Sequence, residues 1–465
     1  MLYHHNIPVL ASESVVHRAE GVEVKIGPPT VVASGEDSSI QGTLIAPKLR
    51  CIGKSIYLNW SFDWDVCDPV QPSVPNGLVS HDAGSSWQHQ DVLMPSPTAM
   101  YETSENEMTA WSRHAFEVPG TTGVYKVPKW ISRDAGRSWA PQVWTTVEYP
   151  GTQGVDIYDP PREYRSSDPN YLRGGVRLAP PAYLEPCFKK VSRRRPLLNC
   201  GLDPQAEDPE GKIYSMVYGR HPAWRETAEQ TGDYWKRIDW ARYAVFLQTS
   251  EDRGLTWQFS GVPVNGSEYR PRVILHRGEE ENTTPVIELC REDDSRPGPV
   301  DFAPGDGFSE PSLVIFPDGE MLCALRTGGH KPLYGIRSFD CGRTWTSAQL
   351  LSPLYVHPIC GVLPRLVLLK NGILALATGR PDCTVHFSKD RGRTWFLSET
   401  LFSVASVGLG EIYSGSHCNN AMIAVADDTL LYVHDATRPD PSAPDAWLRK
   451  AGHPILIARR IRVDV

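Results

Sequence analysis

Five short stretches of this chain follow one pattern, Ser-x-Asp-x-Gly-x-(Ser/Thr)-Trp, and no other feature constrains the fold as much. They run Ser80–Trp87, Ser132–Trp139, Ser250–Trp257, Ser338–Trp345 and Ser388–Trp395. Asp-x-Gly is hairpin chemistry: the short carboxylate accepts backbone N–H groups across the turn, and glycine tolerates positive φ. The tryptophan that follows can lie back over the hairpin as the chain re-enters the sheet. A hairpin built five times implies a repeated antiparallel unit, the mark of a β-propeller.

The aspartates of the repeats, Asp82, Asp134, Asp252, Asp340 and Asp390, are 52, 118, 88 and 50 residues apart. The two short intervals each fit one four-stranded blade, at about 5–6 residues per strand plus loops. The 88-residue interval then holds a blade plus an insertion near 277–300, where the sequence is charged and polar. The 118-residue interval holds either one blade with a long insertion near 150–205 or two blades. Its stretches DPPREYRSSDPNYLRGG and FKKVSRRRPLL are rich in Pro, Gly and charge and show little strand alternation, so one blade is expected. Residues 411–463 read as a last blade that lacks the repeat and ends on alternating Ile455, Ile457, Ile461 and Val463. Val22, Val24 and Ile26 alternate in the same way and are expected to pair within that blade, closing the ring and removing exposed sheet edges. The expectation is an all-β chain, residues 1–465 as one six-bladed propeller domain, with seven blades as the alternative.

Composition narrows the function classes. A hydrophobic content of 40% and a charged content of 22% are ordinary for a soluble globular protein. The 14 tryptophans and 40 prolines suit short strands with many turns. A formal net charge of −8 argues against nucleic acid as a partner. No apolar run approaches the roughly 20 residues a membrane span needs. The first residues lack the basic and apolar segments of a signal peptide. On that reading the chain is cytoplasmic if this N-terminus is native, and secreted if a leader was removed. The ten cysteines contain no CxxC and no regular framework, which favours free thiols over disulfides or a zinc site. The basic run Lys189 to Arg195 reads as a solvated face of the long insertion.

The repeat resembles the Asp-box of the sialidase superfamily, β-propellers with one sugar site on the central axis. That resemblance implies that the five aspartates lie on outer hairpins and are structural, while chemistry comes from the innermost strands. Residues 307–329, GFSEPSLVIFPDGEMLCALRTGG, are similar to the superfamily strand pair in which a glutamate opens the inner strand and an arginine ends the next. This picks out Glu310 and Arg326. A glutamate on the axis can act as a base, and an arginine can hold an anionic or hydroxyl-rich sugar in fixed geometry. A salt bridge between neighbouring strands is the plainer alternative. The next blade repeats the plan with Arg380, and an earlier one carries Arg220 at the same phase. Three arginines around one axis are costly without an anion or a ring of acids.

Two superfamily positions are not matched. Where a Phe/Tyr-Arg-Ile-Pro motif would supply a further arginine, this chain reads SIQGTLIAPKL, with Gln41 near that position. Alignment through LLYVHD puts Asn419 in the place of the nucleophilic tyrosine, and Tyr413 lies six residues earlier. In NWSFDWDVCDP, Asp63 and Asp65 stand where the resemblance puts the general acid. Strand alternation sets both on one face, with Trp60 and Trp64 suited to stacking on a sugar ring. Tryptophan surface would raise the pKa of a neighbouring carboxylic acid, as a proton donor needs.

The resemblance thus implies a sialidase-like glycoside hydrolase that cleaves a terminal acidic or highly hydroxylated sugar and is not an ordinary sialidase. Two other readings stay open. One is a polysaccharide lyase in which His417, His114 or His221 works with an arginine to abstract the proton beside a uronate carboxylate. The other is a propeller that only binds glycan. The expected partner is a glycan or oligosaccharide, with no membrane, no cofactor and no metal.

Overall fold

The computed structural model describes residues 14–34, 45–61, 77–89, 100–104, 106–111, 114–118, 121, 124–140, 143–148, 198–199, 206–220, 243–265, 269–274, 286–291, 307–327, 332–352, 359–380, 382–403, 418–438 and 453–465. These residues form strands and turns, with no helix among them. Six antiparallel blades make a β-propeller. Blade 1 runs outward through Ile45–Ile52, Ser55–Ser61, Gly77–Ser80 and Gln88–His89. Blade 2 holds Met100–Ser104, Glu107–Trp111, Val124–Ser132 and Val143–Glu148, and blade 3 holds Ala206–Glu207, Ile213–Arg220, Tyr243–Ser250 and Gln258–Asn265. Blade 4 holds Ser309–Ile315, Met321–Arg326, Tyr334–Ser338 and Gln349–Leu350. Blade 5 holds Val362–Leu368, Leu374–Gly379, Asp382–Ser388 and Leu397–Ser403. Blade 6 begins with Asn420–Ala426, Thr429–Arg438 and His453–Asp464. The first strands of blades 4, 5, 6 and 1 pack one against the next and so line the axis.

Successive side chains of a strand point to opposite faces, and here both faces are buried. Tyr57 joins an apolar cluster shared with Met108 and Trp130 of blade 2. The next residue, Leu58, joins one shared with Leu431 and Leu456 of blade 6. The same holds around the ring, with clusters between blades 2 and 3, 3 and 4, 4 and 5, and 5 and 6. Burial on both faces is why strands such as Met321–Arg326 read as near-continuous apolar runs rather than alternating ones.

Each of the five repeats is the turn from the third to the fourth strand of its blade. In the first, the Ser80 hydroxyl donates to Asp82 Oδ1 at 2.8 Å and accepts the Gly84 N–H at 2.7 Å. Asp82 Oδ1 also accepts the Ser86 N–H at 2.8 Å, and Oδ2 accepts the Ser86 hydroxyl at 2.6 Å. The other four repeats make the same bonds. The turn needs left-handed backbone twice in succession, at Arg253 (φ 57°) and Gly254 (φ 84°) for example. The glycine is required for a second reason: a Cβ on Gly254 would lie 2.5 Å from the Tyr101 ring of the preceding blade. Every turn is seated on the blade before it. Carbonyls of the turns accept from Tyr57 (3.1 Å, to Ala135), Trp111 (2.7 Å, to Gly254) and Arg337 (2.8 Å, to Arg391) of those blades. The tryptophan does fold back: Trp345 Nε1 donates to the Gly342 carbonyl at 3.1 Å.

Blade 6 has no such turn. Its outer edge comes from the other end of the sequence, with Glu23–Ile26 pairing with Ile461–Asp464 as the alternation of Val22, Val24 and Ile26 led us to expect. A second segment, Thr30–Ser34, pairs with Ile455–Ala458 and completes the edge. The Gly27 N–H donates to the Arg460 carbonyl at 2.8 Å and fixes the corner between the two.

The described strands of the 118-residue interval make one blade, as the Pro- and Gly-rich composition implied. Part of the insertion expected near 277–300 is not loop: Tyr269–Ile274 and Val286–Arg291 form an antiparallel pair. His114–Glu117 pairs with Val124–Ser132 and with Leu198–Asn199, and the latter pairs with Ile213–Arg220, so blades 2 and 3 merge into one ten-stranded sheet. Six cysteines, Cys51, Cys323, Cys341, Cys360, Cys383 and Cys418, are described, and all six are free thiols.

Candidate functional site

The first strands of blades 1, 4 and 5 open alike. Ala46-Pro47, Glu310-Pro311 and Leu363-Pro364 each place a non-glycine residue in the left-handed region, with φ of 50°, 46° and 47°. In each blade the pairing register breaks around that residue. A bulge of this kind re-aims a side chain, and a glutamate at positive φ is a strained placement of the sort found at functional sites. Blade 6 has the same left-handed entry at Cys418 (φ 59°), directly before Asn419.

The bulge turns Glu310 toward two partners. Its Oε1 accepts Arg326 Nη1 at 2.5 Å, and its Oε2 accepts the N–H of Leu363, the bulge residue of the next blade, at 2.8 Å. The side chains of Glu310 and Arg326 are 9% and 18% exposed, so this ion pair is largely withdrawn from water yet open on one side. Glu310 and Arg326 thus meet as the sequence led us to expect, and the plainer reading of a strand-to-strand salt bridge describes the same contact.

Arg380 and Asn419 also meet. Arg380 Nη2 donates to Asn419 Oδ1 at 2.8 Å, and Arg380 itself sits at a φ of 44°. Asn419 Nδ2 donates to Asp435 Oδ2 at 2.7 Å, while its backbone N–H donates to Oδ1 at 2.9 Å. The Asp435 carboxylate takes a third donor at Oδ2, the Ala46 N–H of blade 1, at 2.8 Å. Asp435 is fully buried, and burial pushes its carboxyl up to about 7 although the bonds from Asn419 and Ala46 pull the other way. The packing is tight here: a Cβ on Gly379 would come within 1.8 Å of the Cys418 carbonyl oxygen.

Asp435 is the residue that sequence reasoning missed. Its one signal is a lone carboxylate inside the apolar strand Thr429–Arg438, and its partner Ala46 lies 389 residues away. Trp60 requires a correction. It is fully buried in the apolar cluster between blades 1 and 6, packed with Leu431 and Leu456, and presents no ring to a ligand. Arg220 ends its strand in blade 3, and His114 opens the strand that stitches blades 2 and 3. Gln41, Asp63, Trp64, Asp65, His221, Tyr413 and His417 lie outside the described residues.

The five repeat aspartates stand apart from this site, in the outer turns. The hydroxyl of Ser138 or Thr344, then the N–H of the same residue, hold Asp134 and Asp340 down to about 2. Asp82 is pulled down in the same way by Ser86. Asp252 and Asp390 are lowered too, although partial burial pushes against it. Among the described residues no group of three His, Cys, Asp or Glu side chains could hold a metal ion.

No family model matches the chain, and no curated protein matches it. A solved protein of unknown function from Dyadobacter fermentans is similar with a TM-score of 0.50 and 15% identity, over 94% of this chain and 99% of that one. A Hadza microbial sialidase is similar with a TM-score of 0.48 and 12% identity, over 88% of this chain and 66% of that one. An α-L-arabinanase from Penicillium chrysogenum, solved with arabinobiose, is similar with a TM-score of 0.46 and 10% identity, over 93% and 98% of the two chains. At 15% identity the likeness to the Dyadobacter fermentans protein is one of fold alone.

Proposed function

We propose that the axial end of blades 4 to 6 is a glycan site, and that the protein is a sialidase-like glycoside hydrolase of a terminal acidic or highly hydroxylated sugar. The carrying observation is the juxtaposition of Glu310 with Arg326, and of Arg380 with Asn419, at the axial openings of three successive blades. Glu310 is the base or carboxylate partner. Arg326, Arg380 and Arg220 hold the sugar, and Asp65 or Asp63 is the acid. An amide is a far poorer nucleophile than a phenol, so Asn419 does not replace a tyrosine. The nucleophile is then Tyr413, or water activated between two carboxylates. These features favour a substrate other than an ordinary sialoside.

The test is incubation with a panel of 4-nitrophenyl glycosides, uronate-containing oligosaccharides and a fluorogenic sialoside. The expected result is nitrophenol release from a panel member and little from the sialoside. Glu310→Gln should reduce kcat/KM on the active member by at least about 100-fold. An unsaturated product absorbing in the near ultraviolet would replace this reading with the lyase. Binding without any product would leave a glycan-binding propeller.

A further inference from the structure

We propose that Cys383 and Cys418 are a peroxide-sensitive thiol pair, oxidised to a disulfide that ties blade 5 to blade 6. Neither thiol has a part in the glycan site proposed above, so the pair stands whatever that site binds.

The strand register brings the two together across the seam between the blades. Thr378 pairs with Thr384, so Gly379 and Cys383 follow as neighbours on the second and third strands of blade 5. Gly379 in turn faces Cys418, whose carbonyl oxygen would lie 1.8 Å from a Cβ at that glycine. Both cysteines are fully buried and share one apolar cluster with Tyr432 of blade 6. The Cys383 thiol has the Cys418 thiol and the His434 imidazole among its side-chain partners there. His434 is held in place, its ring centroid 5.3 Å from that of Phe402 and 5.8 Å from that of Tyr432. Its Nδ1 sits 3.1 Å from the Asp435 carbonyl oxygen. A carbonyl only accepts, so Nδ1 carries a proton and Nε2 is left for Cys383.

Burial by itself makes a thiol inert, as Cys323 shows. It is equally buried, its Sγ donates to the Ala324 carbonyl at 3.6 Å, and burial pushes its thiol far up. At Cys383 burial pushes the same way, but the Cys418 thiol and the His434 imidazole outweigh it and draw the thiol below its usual range. Cys418 is raised, by Cys383 first and then by burial. One sulfur is thus the thiolate and the other keeps its proton, the division that thiol oxidation to a disulfide uses. Hydrogen peroxide, little larger than water, is the oxidant suited to so enclosed a pair. The Cys383 thiolate attacks one oxygen, the S–O bond forms as the O–O bond breaks, and the departing hydroxide takes a proton from the His434 imidazolium. Cys418 then attacks the sulfur of the Cys383 sulfenic acid, and its proton leaves with the hydroxyl as water. In sum, two thiols and one peroxide give one disulfide and two waters.

The test is peroxide treatment of the reduced full chain, then denaturation in the presence of an alkylating agent and peptide mass spectrometry. A peptide pair joined through Cys383 and Cys418 should appear, while Cys323 is recovered as a free thiol. Cys418→Ser removes the second sulfur and should leave a sulfenic acid at Cys383 that dimedone traps. His434→Gln should slow formation of the disulfide at least about tenfold. Recovery of Cys383 and Cys418 as free thiols when the exposed Cys51 is oxidised would overturn the proposal. So would Cys383 joined to any other cysteine, or no dimedone adduct at Cys383 in Cys418→Ser. An unchanged rate in His434→Gln would overturn the part given to the imidazole. If that variant does not fold, the adduct in Cys418→Ser decides.

Discussion

At the outer turns and at the axial end of blades 4 to 6, carboxylates organise the backbone around them, but by opposite means. An outer-turn aspartate finds all its partners within five residues, as Asp82 does with Ser80 and Ser86. It keeps contact with water, and its pKa falls because short bonds from hydroxyl and N–H favour the charged form. Asp435 collects donors from two blades, one of them 389 residues distant, and loses contact with water entirely. Its pKa rises because burial outweighs those donors. The first device is local and can be copied from blade to blade. The second depends on neighbouring blades being closed on one another.

The largest effect that would sharpen this contrast comes from the axis. Gly379→Ala would drive a Cβ into the Cys418 carbonyl oxygen, which is backbone and cannot step aside. Overpacking of this severity costs more than about 3 kcal/mol, so the variant should be recovered largely unfolded or with a sharply lowered Tm. A Tm close to that of the unaltered protein would show that blades 5 and 6 are less tightly joined than described.

The pH dependence of stability comes next, and the two regions oppose each other. Asp134 and Asp340 have folded pKa values near 2 against an ordinary 3.8. Their contribution is present above the ordinary value and lost as pH falls toward 2. Asp435 titrates at about 7 in the folded state against the same ordinary 3.8. Its contribution is present below the ordinary value and lost as pH rises toward 7. Thermal melts from pH 2 to 8 should show Asp435→Asn flattening only the slope between about 4 and 7. Asp134→Asn with Asp340→Asn should flatten only the slope below 4. The contrast fails if either variant alters the other limb.

Smaller effects belong to single turns. Asp390→Ala removes the acceptor for the Thr394 N–H and hydroxyl, and should cost about 1 kcal/mol, a Tm decrease of a few degrees. Smallest of all, Arg460→Ala removes an exposed contact from blade 6 to Ser85 Oγ at 2.7 Å in the first turn. It should shift stability by less than about 0.5 kcal/mol. A larger loss would mean that the turns act as clamps between blades as well as caps on their own strands.

The same contrast explains what could be read in advance. The repeats were legible because eight consecutive residues contain the serine, aspartate and glycine bonds that shape the turn. The blade count followed from their spacing, and the sixth blade from alternation in Ile455–Val463 and Val22–Ile26. Glu310 and Arg326 were legible because bulge, strand and arginine lie within 17 consecutive residues. Asp435 was not, because nothing near it in sequence announces Ala46. Trp60 was misjudged because two faces of a strand buried by two neighbouring blades look, in sequence, like one face offered to a ligand.

The outer edge of blade 6 bears on the order in which the molecule can assemble. Blades 1 to 5 each draw on strands that follow one another along the chain, so each can form as soon as it is synthesised. The segments 22–26 and 30–34 are made long before 453–464 and must wait for it. Until then the five blades form an open arc whose two flanks expose the apolar faces later shared by blades 5 and 6 and by blades 6 and 1. The bond from Ala46 to Asp435 spans that seam, so the site at the axis becomes complete only in the final act of closure.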